Sequence, residues 1–299
     1  MDKEILEKYL LAGKIASEVR EESRKFISVG SPLFDIAEKI EALIIEKGGS
    51  MAFPVNLSLN EFAAHCTPKP MDETKIKESD VLKVDIGTHI DGYVGDTAYT
   101  ISFDEKYDAL VKASEAALDN ALKLCTPGTL LSDVSATIED TINSFEFKPV
   151  SNLTGHGLEQ YSIHAEPSVP NVKFESDFVL EKNMIIAIEP FATVGTGLIK
   201  EYGEPAIFSL VGLKPVRNND ARKIISFAEK INGLPFTERW LMKDVGSLFK
   251  IRIAMREMKE RNILYEYPPL MEVARGIVSQ AEHTVIVGKE PIVTTKLSQ

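Results

Sequence analysis

The 299 residues carry a net charge of −11 and a pI near 5.1, with 44% apolar residues and a mean hydropathy of −0.06. That balance describes a globular chain with a sizeable core; it excludes a disordered polymer and a general nucleic-acid binder, which needs clustered Lys and Arg to neutralise phosphate. Two cysteines, Cys66 and Cys125, stand far apart in no CxxC pattern, which argues against a disulfide framework and a thiolate zinc site.

The first 28 residues are charged and helix-patterned rather than built as a signal peptide, and no apolar run reaches membrane-spanning length. A soluble cytoplasmic protein with no membrane partner is expected. Residues 31–48 read as one helix: Ser31 as cap, Pro32 in the first turn, a stripe of Leu33, Ile36, Ile40, Leu43 and Ile44, and Gly48 as the stop. Residues 127–147 repeat the design, with Thr129 as the cap. VGSPLFDIAEKIE (29–41) laid over PGTLLSDVSATIE (127–139) matches at five of 13 positions.

After each helix the chain passes a Pro-Val and an Asn-Leu, then a strand-like run ending in an acid. These runs are DVLKVD, ending at Asp85, and NMIIAIE, ending at Glu189. A further strand follows in each copy: GYVGDTAYTI with Asp96, and IVSQAEHTVIV with Glu282. Two such copies predict two halves about a pseudo-twofold axis, each presenting two carboxylates from neighbouring strands. Asp85 and Asp96 lie 11 residues apart and Glu189 and Glu282 lie 93 apart, so the second half carries an insert.

The insert is placed at residues 205–268, leaving 1–204 and 269–299 as the main body. From Leu213 to Pro268 it holds 12 Lys or Arg against seven Asp or Glu, a local +5 in an acidic chain. ARKIISFAEKING and SLFKIRIAMREMKERN both read as amphipathic helices, with Trp240 between them as the anchor of a small helical core. The basic bias reads as a solvated face.

Acids inside apolar strands need compensation, and no matching set of Lys or Arg lies in these strands. Metal ions are the natural counter-charge. His156, in a Gly-containing loop before a strand, adds an imidazole to two Asp and two Glu, a donor set that suits Co, Mn, Fe or Zn. Two such ions lower the pKa of a shared water and polarise a carbonyl, which is the chemistry of peptide hydrolysis.

Here the motifs carry a resemblance. KVDIGTHIDGYVGDTA, then GH with IHA eight residues later, then IAIEPFAT and QAEHTVIV, together with AFPVNLSLNEFAAHCTP near the start, resemble the metal-binding series of the methionine aminopeptidases across essentially the whole chain. The insert before QAEHT resembles the second type, and the short N-terminal region resembles archaeal forms. The resemblance implies an α+β pita-bread fold, a pseudo-twofold antiparallel sheet covered by helices. It also implies two divalent metal ions per chain held by Asp85, Asp96, His156, Glu189 and Glu282, with Asp96 and Glu282 bridging the pair.

His65 and His164 match the family's two non-ligand histidines, which contact the scissile bond, and His65 matches the residue alkylated by fumagillin-type epoxides. Phe53 and Ile163, alongside His164, match positions lining the methionine side-chain pocket; as apolar residues they equally suit a core. His89, at a turn, and His283, facing away from Glu282, read as structural. The implied activity is removal of the initiator methionine from nascent polypeptides with a small second residue, by a monomer that binds no specific nucleic acid; association with the ribosome is left open. Competing readings are another pita-bread aminopeptidase of X-Pro type, whose N-terminal domain has no room in the 84 residues before Asp85, and a non-catalytic pita-bread binding protein, which typically lacks the ligands.

Overall fold

The computed structural model describes residues 1–297. Helices α1 (Lys3–Ser23) and α2 (Leu33–Glu46) pack on an antiparallel sheet centred on the ten-residue strand Val81–Ile90, paired with Tyr93–Ser102 on one side and Asn56–Leu59 on the other. Helices α3 (Asp108–Leu122) and α4 (Leu131–Ser144) cover the second half, a five-stranded sheet whose middle strands are His283–Ile286, Ile185–Ile188 and Thr154–Glu159.

The repeat is exact in packing. Leu33, Ile36, Ile40 and Ile44 form the buried stripe of α2, and Leu131, Val134, Ile138 and Ile142 form that of α4, at a constant offset of 98 positions. Each stripe closes its own core, Val55, Leu82 and Ile86 beneath the first and Ile186, Ile188 and Val285 beneath the second. Fully burying one such side chain contributes roughly 1.5–3 kcal/mol, so each stripe fixes its helix more firmly than any cap does.

The caps themselves differ from expectation. Pro32 and Leu130 occupy the N-cap positions, and neither helix has a side-chain cap. Ser31 instead pairs its hydroxyl with Ser28, and Thr129 pairs with Thr126. The second-half strands also differ. NMIIAIE is strand only over Ile185–Ile188, and after Glu189 and Pro190, whose ring has no N–H to give a ladder, the chain pairs again in a separate strand, Phe191–Thr193. IVSQAEHTVIV breaks into Val278–Gln280 and His283–Ile286 around Glu282. His156 lies within the strand Thr154–Glu159, not in a loop before one.

The breaks serve the joint between the halves. Residues 280–284 run antiparallel beside residues 96–100 of the first half. Glu282 N donates to Ala98 O at 3.0 Å and Ala98 N to Glu282 O at 3.3 Å. On either side threonine hydroxyls complete the seam: Thr100 Oγ1 donates to Gln280 O at 2.7 Å, and Thr284 Oγ1 donates to Asp96 O at 2.9 Å.

The segment between the second half's acids holds α5 (Asn219–Lys230), α6 (Glu238–Val245) and α7 (Leu248–Glu260) around Ile224, Phe236, Leu241, Ile251 and Met258. It also holds a sheet that the helical patterning conceals, with Ile207–Leu210 between Phe236–Thr237 and Leu264–Tyr267. Trp240 packs against this cluster, but its indole N–H donates to Glu41 of α2 at 2.8 Å, so it also ties the segment to the first half. Among the described residues no helix is long and apolar enough to cross a membrane.

Candidate active site

Strand register brings the acids together. Asp85 opposes Ala98 and Asp96 opposes Gly87, so both carboxylates leave one face of the first-half sheet, diagonal to each other. The seam sets Glu282 against Ala98 on that face. The pair of Ile188 with His283 then brings the next residues, Glu189 and Glu282, side by side, and His156 opposes Ala187 one strand further on.

Glycines on both sides of His156 make this approach feasible: an added Cβ would stand 2.3 Å from Ala187 O at Gly155 and 2.1 Å from Glu166 O at Gly157. An added Cβ at Gly87 would stand 2.2 Å from the Phe53 ring, which fills that space instead. These three glycines admit no side chain without backbone or ring displacement.

The cluster's electrostatics test whether it fits a metal. Burial raises the Asp85 carboxyl to about 7. Burial and the neighbouring carboxylates push Asp96 and Glu282 well above the ordinary range, and burial and Asp85 do the same to Glu189. Asp85 Oδ1 and Asp96 Oδ1 are buried with no hydrogen-bond partner.

Burial lowers His156 to about 3, keeping it neutral. With its Nδ1 hydrogen directed at Gly157 O (3.3 Å), its Nε2 lone pair faces Glu189 Oε1 at 3.5 Å, an acceptor against an acceptor whenever Glu189 is ionised. Donor atoms of Asp96, His156 and Glu282 lie within 4.8 Å of one another. Unpaired oxygens, opposed lone pairs and mutually repelling carboxylates fit cations held between them.

A pH dependence follows for protein stripped with chelator. A carboxyl whose folded pKa is raised keeps its proton in the fold while the unfolded chain has already released it, so stability declines as pH climbs from about 4 through about 7, the value for Asp85. The thermal midpoint of stripped protein should fall by roughly 10 °C between pH 5 and 8. A midpoint that stays flat or rises across that range would show that the carboxylates are not the strained element.

All nine residues singled out from sequence line one cavity of about 360 Å³: Phe53, His65, Asp85, Asp96, His156, Ile163, His164, Glu189 and Glu282. Phe53 and Ile163 join the cluster of Leu158, Ile185 and Ala187, an apolar wall that is at once core and cavity lining. His65 has φ +62°, a left-handed conformation rare for a side chain of its size, and one that concentrates at functional sites. Burial, with His164 nearby adding to it, lowers it to about 4, against the opposing pull of Pro268 O, 3.3 Å from its Nδ1. His164 lies 4.8 Å from His156, centroid to centroid and edge-on.

His89 Nδ1 accepts from Gly92 N at 3.1 Å and fastens its turn; His283 bonds Arg20 and Thr295 away from the cavity. Sequence reasoning missed Tyr267, whose ring stands 5.6 Å from His65 and 6.4 Å from His164, and also Ile207 and Pro235. All three come from the segment read as a separate helical unit. The only available signal was the aromatic pair in LYEYPP where that segment ends.

Residues 7–232 match the metallopeptidase family M24. The chain is 44% identical over 286 residues to a methionine aminopeptidase of Thermococcus onnurineus, covering 95% of this chain and 97% of the relative. Among solved structures, a thermophilic Arx1 superposes with TM-score 0.85 at 17% identity, covering 100% of this chain and 92% of that one. The methionine aminopeptidase of Thermotoga maritima superposes with TM-score 0.73 at 23% identity, covering 99% and 98%. The two superpositions establish the pita-bread fold and no more. With a family match over most of its length and a near full-length relative well above chance identity, the chain belongs to metallopeptidase family M24, among the methionine aminopeptidases.

Proposed function

We propose that this chain is a methionine aminopeptidase of the second type, of the archaeal kind, that removes the initiator methionine from nascent polypeptides with a small second residue. It acts as a cytoplasmic monomer, with residues 1–204 and 269–299 as the catalytic body and 205–268 as the inserted unit. The observation that carries the reading is the convergence of four buried carboxylates, His156 and the two further neutral histidines His65 and His164 on one cavity beside an apolar wall.

Asp85, Asp96, His156, Glu189 and Glu282 would hold two divalent ions of the Co, Mn, Fe or Zn class. When bound, such ions supply an activated water and polarise the scissile carbonyl. The chain's own residues do the rest. Phe53 and Ile163 give the methionine side chain an unbranched apolar slot beside His164. With its Nδ1 hydrogen on Pro268 O, His65 leaves an Nε2 lone pair to accept from the scissile amide N–H. His164, across the cavity, is placed to stabilise the charge that grows on the carbonyl oxygen. Tyr267, Ile207 and Pro235 line the cavity on the inserted side.

Peptides beginning Met-Gly, Met-Ala and Met-Ser should release free methionine, while Met-Lys and Met-Phe starts and X-Pro dipeptides are spared. Chelation should abolish that release, and Co, Mn or Fe(II) should restore it. Efficient removal of other N-terminal residues, or full turnover after chelation, would overturn the proposal.

A further inference from the structure

The segment that follows His65 is gripped at Thr67 and Pro68 by Arg239, a residue that lines no part of the cavity. Residues 65–68 follow the strand Phe62–Ala64 as irregular chain, with no ladder to hold them beyond Cys66 O accepting from Leu57 N at 2.6 Å. Arg239, on α6, reaches across to this segment. Its Nε donates to Pro68 O at 2.9 Å and one terminal nitrogen to Thr67 Oγ1 at 3.2 Å.

The guanidinium is itself fixed. It forks onto Glu41 of α2 at 2.7 and 2.9 Å and also bonds Glu38, while Trp240 Nε1 donates to the same Glu41 carboxylate at 2.8 Å. The Arg239 side chain is 1% exposed and that of Glu41 7%. A buried ion pair contributes little net stability over an apolar contact, whereas a planar fork with every donor engaged defines a position. The far end of the inserted segment meets the same residue from the other side, through Pro268 O on His65 Nδ1 and the Tyr267 ring edge-on to His65.

We propose that Arg239 is a positioning residue for His65, and that the inserted unit works as a two-ended brace holding that histidine in its left-handed conformation against the cavity. This rests on the reading of His65 as a group that meets the substrate. The brace has no part in the carboxylate cluster, so metal binding is independent of it.

The test compares wild type with R239K, which keeps the charge and loses the fork, and with Trp240→Phe, which removes only the indole bond to Glu41. Turnover of Met-Ala-Ser, metal content and the carbethoxylation rate of each histidine by diethyl pyrocarbonate are measured below the melting temperature of every variant. R239K should lose about 10- to 100-fold in kcat with KM within about twofold, because a displacement of about 1 Å at a reacting group has that cost. Its metal content should be unchanged and its His65 should react about threefold faster or more, with His164 as the unmoved reference. Trp240→Phe should melt earlier yet turn over as wild type does.

Wild-type kcat and His65 reactivity in R239K, or a loss in which metal content falls in step, would overturn the brace. Should R239K not fold, Thr67→Val decides: it keeps the ion pair and drops one contact to the loop, so a several-fold fall in kcat with faster His65 labelling is expected, and no change refutes the proposal. A wild-type enzyme that released no methionine would sink the functional reading instead, and the labelling rates would still report on the brace.

Discussion

Asp96→Ala and Glu282→Ala are each expected to lower kcat/KM by about a thousandfold or more, with Asp85→Asn retaining more activity than either. Metal-assisted stabilisation is worth several kcal/mol in the transition state, and a carboxylate that serves two ions, as the family resemblance implies for these two, would remove support from both when lost. The seam makes the difference intelligible. Asp96 and Glu282 stand on the two chains that run alongside each other where the halves meet, while Asp85 lies one strand pair to the side.

The same substitutions carry an opposite effect that guards against a trivial loss of fold. In metal-free protein burial, and after it the neighbouring carboxylates, raise Glu282, so Glu282→Gln should increase the melting temperature after chelation while abolishing the further increase that metal gives to wild type. Near-normal turnover in both alanine variants, or a metal-induced shift that survives Glu282→Gln, would take these residues out of the metal site.

His65→Asn is expected to cost about a hundredfold in turnover while metal content stays at the wild-type level. A neutral imidazole with one nitrogen directed at Pro268 O presents the other as a nucleophile, and burial keeps it unprotonated throughout the neutral range. Fumagillin should therefore add its mass once, on the peptide containing His65, and not at all in the asparagine variant. His89→Asn should match wild type in turnover and labelling, since its ring only fastens a turn. Labelling on His164, or full turnover without His65, would mean that the wrong half of the molecule has been given the role.

How much of this was legible in sequence depended on range. The helix stripes were readable because burial imposes its period within one element: Ile36, Ile40 and Ile44 show their spacing locally, and the same spacing at Val134, Ile138 and Ile142 exposed the repeat. The carboxylates were readable because an acid among apolar strand residues conflicts with its surroundings, and that conflict is local too.

The caps failed because Ser31 and Thr129 each had another partner three residues back, which propensity does not weigh. The strand breaks at Glu189 and Glu282 were hidden in runs of good β-formers. Arg239 and Glu41, 198 positions apart, and Tyr267 against His65 follow from docking one compact unit on another, and no periodicity encodes that.

The seam between the halves has a last consequence. It is stitched by threonine hydroxyls and a single pair of backbone bonds rather than by a continuous ladder, and the repelling carboxylates sit directly on it. Ions held there by Asp85 and Asp96 of one half and Glu189 and Glu282 of the other would join both halves at once, as a rivet joins two plates. Affinity for metal and cohesion of the two halves are then one free energy seen from two ends, and by linkage whatever draws the halves together also tightens the grip on the ions. A substrate that touched both walls of the cavity would close the same joint, and the metal would then be held hardest in the occupied enzyme.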